Sequence, residues 1–195
     1  MNEQLERHPV LRSSILILGV LVYFFAGAEP LSKEYGARPV WRTALEPRAA
    51  AGILPGAYEF STGDWYGFIA KDGRLGLSMN TPGGAVISDW AYIASANGTA
   101  PGASRELRGP DGALLGSTAA GVPFFASSRL FSASPDGTTL SAHGPDGTTT
   151  WAHTFPSQLS AFTANTELAI GGTIDGWLEA VNAGGERVLR FAPGG

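Results

Sequence analysis

The stretch HGPDGTTTW, residues 143–151, decides the fold of this chain. Its tetrapeptide GPDG also occurs at residues 109–112, within the stretch RGPDGALLG. Asp-Gly between two apolar stretches is a strong signal for a tight turn, because glycine adopts the positive φ that such a turn requires. We therefore interpret both copies as turns between strands rather than as binding loops.

Short apolar stretches that end in an Asp-Gly or Asn-Gly pair recur along the chain and predict strand–turn–strand units. In the last two units a third strand follows a further turn, at Gly147 in one and at Gly185 in the other, 38 positions apart. A period near 40 residues with three or four short strands indicates a β-propeller blade. The glycines of the Asp-Gly or Asn-Gly pairs that end the four units are Gly73, Gly98, Gly137 and Gly176.

The frame Ala142-x-x-x-x-Gly147-x-x-x-Trp151 resembles the tryptophan-docking motif of the pyrroloquinoline-quinone-like β-propeller repeats. In that family an alanine, a glycine after a turn and a tryptophan dock each blade against its neighbour. The spacing here is one residue shorter than the usual family pattern. The resemblance implies a propeller fold of the outer-membrane-assembly-scaffold type.

The frame returns as Ala180-x-x-x-x-Gly185-x-x-x-Leu189, in which leucine replaces the tryptophan. We expect these residues also to dock a blade. The quinone-binding branch of the family contains dehydrogenases with a calcium-bound cofactor and a full eight-blade ring. The chain is too short for that ring and shows no assignable cofactor residues, so we expect no cofactor and no enzymatic activity.

The repeat region accounts for only part of a propeller. Propellers close with 4–8 blades of about 40 residues each, and the stretch from Tyr58 to Gly195 is shorter than the smallest such ring. We expect an all-β fold, a partial β-propeller of four-stranded antiparallel blades that is truncated from a longer chain. The alternative is an open array whose edges self-associate or bind another chain.

An apolar segment, Ser13 to Ala28, precedes the repeats and predicts an N-terminal hydrophobic helix. The 16 uncharged residues between Arg12 and Glu29 are fewer than the roughly 20 that span a bilayer, and the small residues at 26–28 fit a signal-peptidase site. We expect a signal peptide that is cleaved after Ala28 and leaves a soluble exported protein. The alternative is an uncleaved single-pass anchor, in which residues 13–28 attach the protein to the membrane. Either places the remainder on the periplasmic or other extracytoplasmic side of the cell envelope.

The predicted divisions of the chain are a signal or anchor at 1–28, a linker at 29–57 and the repeat domain at 58–195.

Composition excludes several classes of function. The chain has no cysteine, which removes disulfides, thiolate metal sites and a cysteine nucleophile. Only two lysines occur and the arginines are scattered, so we expect no nucleic-acid binding. The aspartates of the Asp-Gly pairs stand singly, and His143 and His153 lack further ligands, so we expect no metal site. The nucleophile motif G-x-S-x-G is absent.

Trp177 stands directly after an Asp-Gly turn and is the candidate for an interaction surface. Burial between blades is the competing interpretation, because large aromatic side chains are usually buried. The function we expect is that of a non-enzymatic, exported or membrane-tethered propeller that serves as a protein-interaction scaffold in the cell envelope. The alternative is a small-molecule or glycan-binding propeller that is part of a longer chain.

Overall fold

The computed structural model describes residues 9–26, 39–50, 52, 54–95, 103–119 and 121–192. The chain forms two compact units, Met1–Pro39 and Val40–Gly195. Among the described residues of the first unit, Pro9–Ala26 form a helix, α1. None of the helices in the described part of the chain has the length and apolar character needed to cross a bilayer. The cleaved signal peptide and the anchor both stay predictions.

The described part of the second unit is all-β, as predicted, and its strands form four antiparallel sheets. In every sheet the strands pair in chain order, so each sheet is a meander, and we call the sheets blades 1 to 4. Blade 1 contains β1 (Tyr58–Thr62), β2 (Trp65–Ile69) and β3 (Leu75–Asn80). Blade 2 contains β4 (Ala85–Ile87), β5 (Tyr92–Ala94), β6 (Arg105–Arg108) and β7 (Leu114–Thr118). Blade 3 contains β8 (Val122–Ala126), β9 (Arg129–Ala133), β10 (Thr139–His143) and β11 (Thr149–Thr154). Blade 4 contains β12 (Leu159–Ala164), β13 (Leu168–Thr173), β14 (Leu178–Asn182) and β15 (Arg187–Phe191).

Both GPDG copies are turns between adjacent strands. Gly112 and Gly147 have φ of 78° and 80°, the left-handed region that glycine enters without steric cost. The Gly147 N–H donates to the Gly144 carbonyl at 3.0 Å, and Asp146 Oδ1 accepts the Thr148 N–H at 3.0 Å. The aspartate therefore stabilises its own turn, and the interpretation of GPDG as a turn is confirmed. The predicted turn at Gly98 lies outside the described residues.

The hydrophobic core lies between successive blades. Three buried clusters join blades 1 and 2, blades 2 and 3, and blades 3 and 4. Within the described ranges no buried cluster joins blade 4 to blade 1, so the array is open, as expected for a partial propeller. The third cluster is the largest and consists of Phe131, Leu140, Ala142, Trp151, Phe155, Ala164, Ala169 and Val181.

Blades 3 and 4 meet where Trp151 packs against Gly185. A Cβ on Gly185 would lie 2.6 Å from the Cβ of Trp151, so only glycine leaves room for the indole. The buried indole Nε1–H of Trp151 has no hydrogen-bond partner, so the contact rests on packing alone. At the boundary of blades 2 and 3, Gly116 occupies the position of the tryptophan, and a Cβ there would lie 1.8 Å from the Asp146 carbonyl oxygen. The two backbones therefore pack directly.

Blade 1 has three strands, and part of the predicted linker packs against it. Arg48 forms an antiparallel bridge with Ser78 of β3, with N···O distances of 2.6 and 2.9 Å. Trp41 lies against Gly73 and donates its indole N–H to the Lys71 carbonyl at 2.7 Å. The segment that carries Trp41 and Arg48 therefore covers the side of β3 on which the other blades have a fourth strand.

We predict that Gly185→Ala destabilises the protein more than Gly176→Ala. Both glycines have φ near +88°, so both substitutions carry the same backbone strain of about 1 kcal/mol. Only Gly185 is in contact with a neighbouring blade, whereas a Cβ on Gly176 meets nothing within 4 Å. Denaturant unfolding should show an extra loss of about 1–3 kcal/mol for Gly185→Ala. Equal losses would mean that the contact with Trp151 does not hold the blades together.

Candidate functional site

A buried carboxylate lies at the boundary of blades 3 and 4. Glu179 on β14 is 1% exposed, and its Oε2 is 2.8 Å from Nε2 of His153 on β11. Its Oε1 is 3.2 Å from Nε of Arg190 and 3.4 Å from Nη1 of Arg187. Desolvation makes a buried charge costly unless partners of opposite charge and hydrogen bonds compensate for it. Three donors supply that compensation here, so Glu179 links the two blades.

The space for this carboxylate is created by Gly171, which pairs with Glu179 across β13 and β14. A Cβ on Gly171 would lie 2.6 Å from the ring of Phe155. The same ring packs edge-on against the His153 imidazole, with centroids 4.8 Å apart. Phe155 is itself buried and covers the ion pair. The carboxylate is therefore buried in an interblade contact, whereas the side chains of Arg187 and Arg190 reach the solvent at 49% and 38% exposure.

A second polar pair lies inside blade 3. Ser132 Oγ is 2.8 Å from His143 Nε2, and His143 Nδ1 is 3.1 Å from the Gly147 carbonyl oxygen. Because a carbonyl only accepts, Nδ1 carries the proton, and the neutral imidazole accepts from the serine hydroxyl at Nε2. Burial lowers the pKa of His143, and the hydrogen bond to Gly147 offsets part of that shift.

This pair has the contact of a serine nucleophile with its base, but its surroundings differ from those of a catalytic site. Both side chains are buried, so a substrate has no approach to Ser132. A backbone carbonyl, rather than a carboxylate, holds the far nitrogen of His143. The pair therefore satisfies its own polar groups within the sheet.

Trp177 is half-buried rather than fully exposed or fully covered. The guanidinium carbon of Arg190 lies 4.1 Å from the centroid of its ring, which is a cation–π contact. The Trp177 N–H donates to Thr173 Oγ1 at 3.1 Å, which fixes the turn between β13 and β14. Ile174, in the same turn, is 67% exposed. The turn thus presents one free apolar side chain beside an indole held in place by an arginine.

In four of the Asp-Gly pairs the aspartate is engaged within its own turn. The Ser134 hydroxyl and the Thr138 N–H both donate to Asp136, and these hydrogen bonds hold the pKa of its carboxyl below the usual value. Asp72, Asp111 and Asp146 likewise accept the N–H two residues on. Across the part of the chain that the structure describes, no group of three or more His, Asp or Glu side chains could hold a metal ion.

A half-open cavity of about 600 Å³ lies between residues 43–48 and the beginning of β3. The guanidinium of Arg74 lies 2.7 Å from the Asp72 carboxylate, so its charge is compensated within the wall. The other charged lining residues are Glu46 and Arg48, and the rest of the wall is uncharged. The lining residues are Thr43, Ala44, Glu46, Pro47, Arg48, Gly73, Arg74 and Leu75.

The structure brings the predicted docking residues together. Ala142 pairs directly with Trp151, and Ala180 pairs directly with Leu189. A bulge follows each alanine, between residues 142 and 143 and between 180 and 181, so the two frames share one local geometry. A Cβ on Gly147 would lie 2.5 Å from the Ser117 carbonyl oxygen of blade 2, so this turn also lies at a blade boundary.

Glu179 was not among the residues that the sequence analysis selected. Its signal is a single acidic residue between Leu178 and Ala180, within a strand that is otherwise largely apolar. That pattern is compatible with a solvated strand face. The partners of Glu179 lie on another strand and on another blade, and for this reason the sequence does not reveal the ion pair.

We predict that Glu179→Gln lowers the free energy of unfolding by about 2–3 kcal/mol, because the substitution removes the carboxylate that accepts from His153 and the negative charge beside the two arginines. The matched control is Asp72→Asn, which removes the carboxylate of the solvent-exposed pair with Arg74. The control should leave the free energy of unfolding nearly unchanged, because exposed ion pairs contribute little. Denaturant unfolding of both variants measures these free energies. A Glu179→Gln variant as stable as the unmodified chain would contradict the role of Glu179 in linking blades 3 and 4.

We predict that His143 stays neutral below the pH at which an ordinary histidine titrates, about 6.5. The native protein then binds fewer protons at this group than the unfolded chain does. The contribution of His143 to stability therefore falls as the pH drops below about 6.5. A ¹⁵N NMR titration should show a protonated Nδ1 and a bare Nε2 in that range. Titration at or above the ordinary value would refute the neutral state.

A family model described as a β-propeller protein matches residues 1–195. No curated protein matches the chain. The computationally designed Ika4 protein is similar, with 16% identity and a TM-score of 0.43, over 55% of this chain and 69% of that one. BamB from Moraxella catarrhalis is similar at 13% identity and a TM-score of 0.48, over 80% of this chain and 55% of that one.

The match therefore spans about half the length of BamB. Likenesses at these identities and TM-scores carry no argument about function. The narrower resemblance to pyrroloquinoline-quinone-like repeats stays a prediction, because the family description is the broader one. With a family model matched from its first residue to its last, the chain belongs to a β-propeller protein family.

Proposed function

We propose that this chain is a non-enzymatic propeller scaffold that binds another protein on the extracytoplasmic side of the cell envelope. The observation that carries the proposal is that the polar side chains of the core are paired within the fold. Among the residues best suited to chemistry, Ser132, His143 and Glu179 are buried and His153 is half-buried. They pair with one another or with backbone inside and between blades. Function is thereby left to the outer surface of the blades.

The turn between β13 and β14 is the part of that surface that we assign to the partner. Trp and Arg are the residues that most often dominate the energy of protein interfaces. Here the indole of Trp177 is held by Arg190 at 4.1 Å, so little side-chain entropy is lost on binding. Ile174 adds an exposed apolar side chain in the same turn. The combination fits a partner with an apolar pocket.

The extracytoplasmic location rests on the N-terminal segment. Between Arg12 and Glu29 the chain carries no charge, and residues 26–28 are all small. These features are typical of an export signal. In this proposal residues 1–28 direct export, and the unit Val40–Gly195 carries the binding surface.

The test compares the unmodified chain with Trp177→Ala and Ile174→Ala as baits in quantitative cross-linking within the native envelope fraction. Leu114→Ala is the matched control, because Leu114 is an exposed leucine on blade 2. We expect one protein to cross-link to the unmodified chain and to the control, and both turn variants to recover at least about tenfold less of it.

Recovery of the same proteins at the same yield with all four baits would overturn the assignment of the turn. Recovery of no protein by the unmodified chain would overturn the scaffold proposal. The intact mass of the bait from the envelope fraction tests export in the same experiment. A loss of residues 1–28 indicates a cleaved signal peptide, the full mass in the membrane indicates an anchor, and cytoplasmic retention contradicts export.

A further inference from the structure

Two arginines of the outer strand of blade 4 lie on one face of the sheet because of a bulge. Arg187 and Arg190 are three positions apart, and regular alternation would place them on opposite faces. The register of β14 and β15 shifts between Ala180 and Val181, so Arg190 lies opposite Glu179 and Arg187 lies opposite Val181. Val181 belongs to the buried cluster between blades 3 and 4, and Glu179 shares its face. Both arginines therefore lie on the side of β15 that faces blade 3.

A single buried carboxylate holds these two guanidiniums, and we call Arg187 and Arg190 the arginine pair. Both contact Oε1 of Glu179, whereas Oε2 lies at His153. One negative charge cannot neutralise two positive charges, so at least one positive charge remains in excess. In the described part of the chain the other N–H groups of the arginine pair have no hydrogen-bond partner. The pair therefore offers N–H donors and a surplus positive charge to an acceptor outside the chain.

The arginine pair reaches the solvent although blade 3 lies on the same side of blade 4. Both arginine side chains are partly exposed. The corresponding residues of blade 3, by their pairing with β10, are Thr149 and Ala152. Both are exposed even though buried clusters join blade 3 to a neighbour on each side. These positions of an outer strand are therefore accessible within the array, and the exposure of the arginine pair does not come from an open end.

The blades do not need arginines at these positions to fold. Blade 3 has a threonine and an alanine there, and blade 2 has Leu114 and Ser117. Blade 2 also has a glutamate, Glu106, at the position of Glu179, and one arginine, Arg108, forms its ion pair at 2.7 Å. The second arginine and the surplus charge are therefore features of blade 4 and not of the repeat, which favours a role in recognition.

Arg190 joins the arginine pair to the turn that we assign to the partner. Its guanidinium carbon lies 4.1 Å from the centroid of the Trp177 ring, so one side chain contacts both the buried carboxylate and the indole. Asp175, in the same turn, accepts from the hydroxyls of Ser157 and Thr173 and is held in place by them. The apolar side chains of the turn and the donors of the arginine pair therefore form one surface.

We infer that the arginine pair binds a carboxylate of the partner protein, beside the apolar surface that receives the Trp177 turn. Planar guanidiniums bind carboxylates through paired hydrogen bonds, which an ammonium group cannot form. The contacts of Arg190 with Glu179 and Trp177 orient it in advance, which lowers the entropy lost on binding. The partner surface therefore carries Asp or Glu beside apolar residues. This inference rests on the proposed function, because it specifies the chemistry of what the turn binds.

An anionic membrane fits the arginine pair less well than an acidic protein segment does. Electrostatic attachment to anionic lipids takes clusters of about 4–8 basic residues. This surface has two arginines, and Glu179 neutralises one of the two charges. A single surplus charge beside an ordered indole matches one carboxylate at a defined place rather than a charged plane.

The experiment selects peptides that bind the full chain from a random peptide library displayed on phage. We expect the enriched peptides to contain Asp or Glu beside Leu, Ile or Phe. The most enriched peptide is then synthesised with a dye, and fluorescence anisotropy measures its affinity for the unmodified chain, Arg187→Gln, Trp177→Ala and Arg108→Gln. Arg108→Gln is the control, because Arg108 is also partly exposed and paired with a carboxylate on blade 2.

Arg187→Gln and Trp177→Ala should each weaken binding by at least about tenfold, because one loses a charged hydrogen bond and the other the apolar contact, and the control should not. Added salt should weaken binding to the unmodified chain more steeply than binding to Arg187→Gln, because salt screens the charge that the variant lacks. Arg187 is exposed, so the variant should fold, and cooperative thermal unfolding checks this. If it does not fold, the salt dependence of the unmodified chain decides.

The possible failures separate this inference from the proposed function. Enriched peptides that lack acidic residues and lose affinity only in Trp177→Ala would overturn the inference and leave the assignment of the turn intact. Affinity unchanged in both variants would overturn both, because the peptide then binds elsewhere. A library that yields no enriched peptide would overturn the inference. Cosedimentation with vesicles of anionic phospholipid that is lost in Arg187→Gln would assign the arginine pair to the membrane instead.

Discussion

The packing of Trp151 on Gly185 is the contact on which the open array depends. A four-stranded sheet has two faces, and a blade of this size cannot bury either face by itself. Each blade must therefore use its neighbour as the other half of its core. A Cβ on Gly185 would lie 2.6 Å from Trp151, so the turn that joins β14 to β15 accepts the indole only because it contains glycine. Gly185 therefore has two roles: its positive φ forms the turn, and its lack of a side chain leaves room for the tryptophan.

The polar residues follow the same constraint. Glu179 accepts from His153 across the boundary of blades 3 and 4, and Ser132 and His143 satisfy each other within blade 3. A buried polar group without a partner destabilises the fold, so these pairs are requirements of an interblade core that is not wholly apolar. The same burial shields the Ser132 hydroxyl and the Glu179 carboxylate from solvent.

The sequence predicted the turns and the all-β class. Those features depend on contacts between residues close in the chain, such as Asp146 with Thr148, or on pairs such as Ala142 and Trp151 that a single turn brings together. The contact between Glu179 and His153 spans 26 positions and two blades, and no local pattern encodes it. The packing of Trp41 on Gly73 was likewise missed, because Trp41 lies in a proline-containing segment, and such segments are typical of linkers.

By itself the sequence determined the repeat and the position of its turns, since a glycine turn is a property of the local backbone. Only the tertiary structure decided which of two equivalent faces is covered. Phe131 and Ile170 stand at matching positions, yet Phe131 is fully buried and Ile170 is 37% exposed. Burial depends on what lies across the boundary, and the position of a residue within its own repeat does not contain that information.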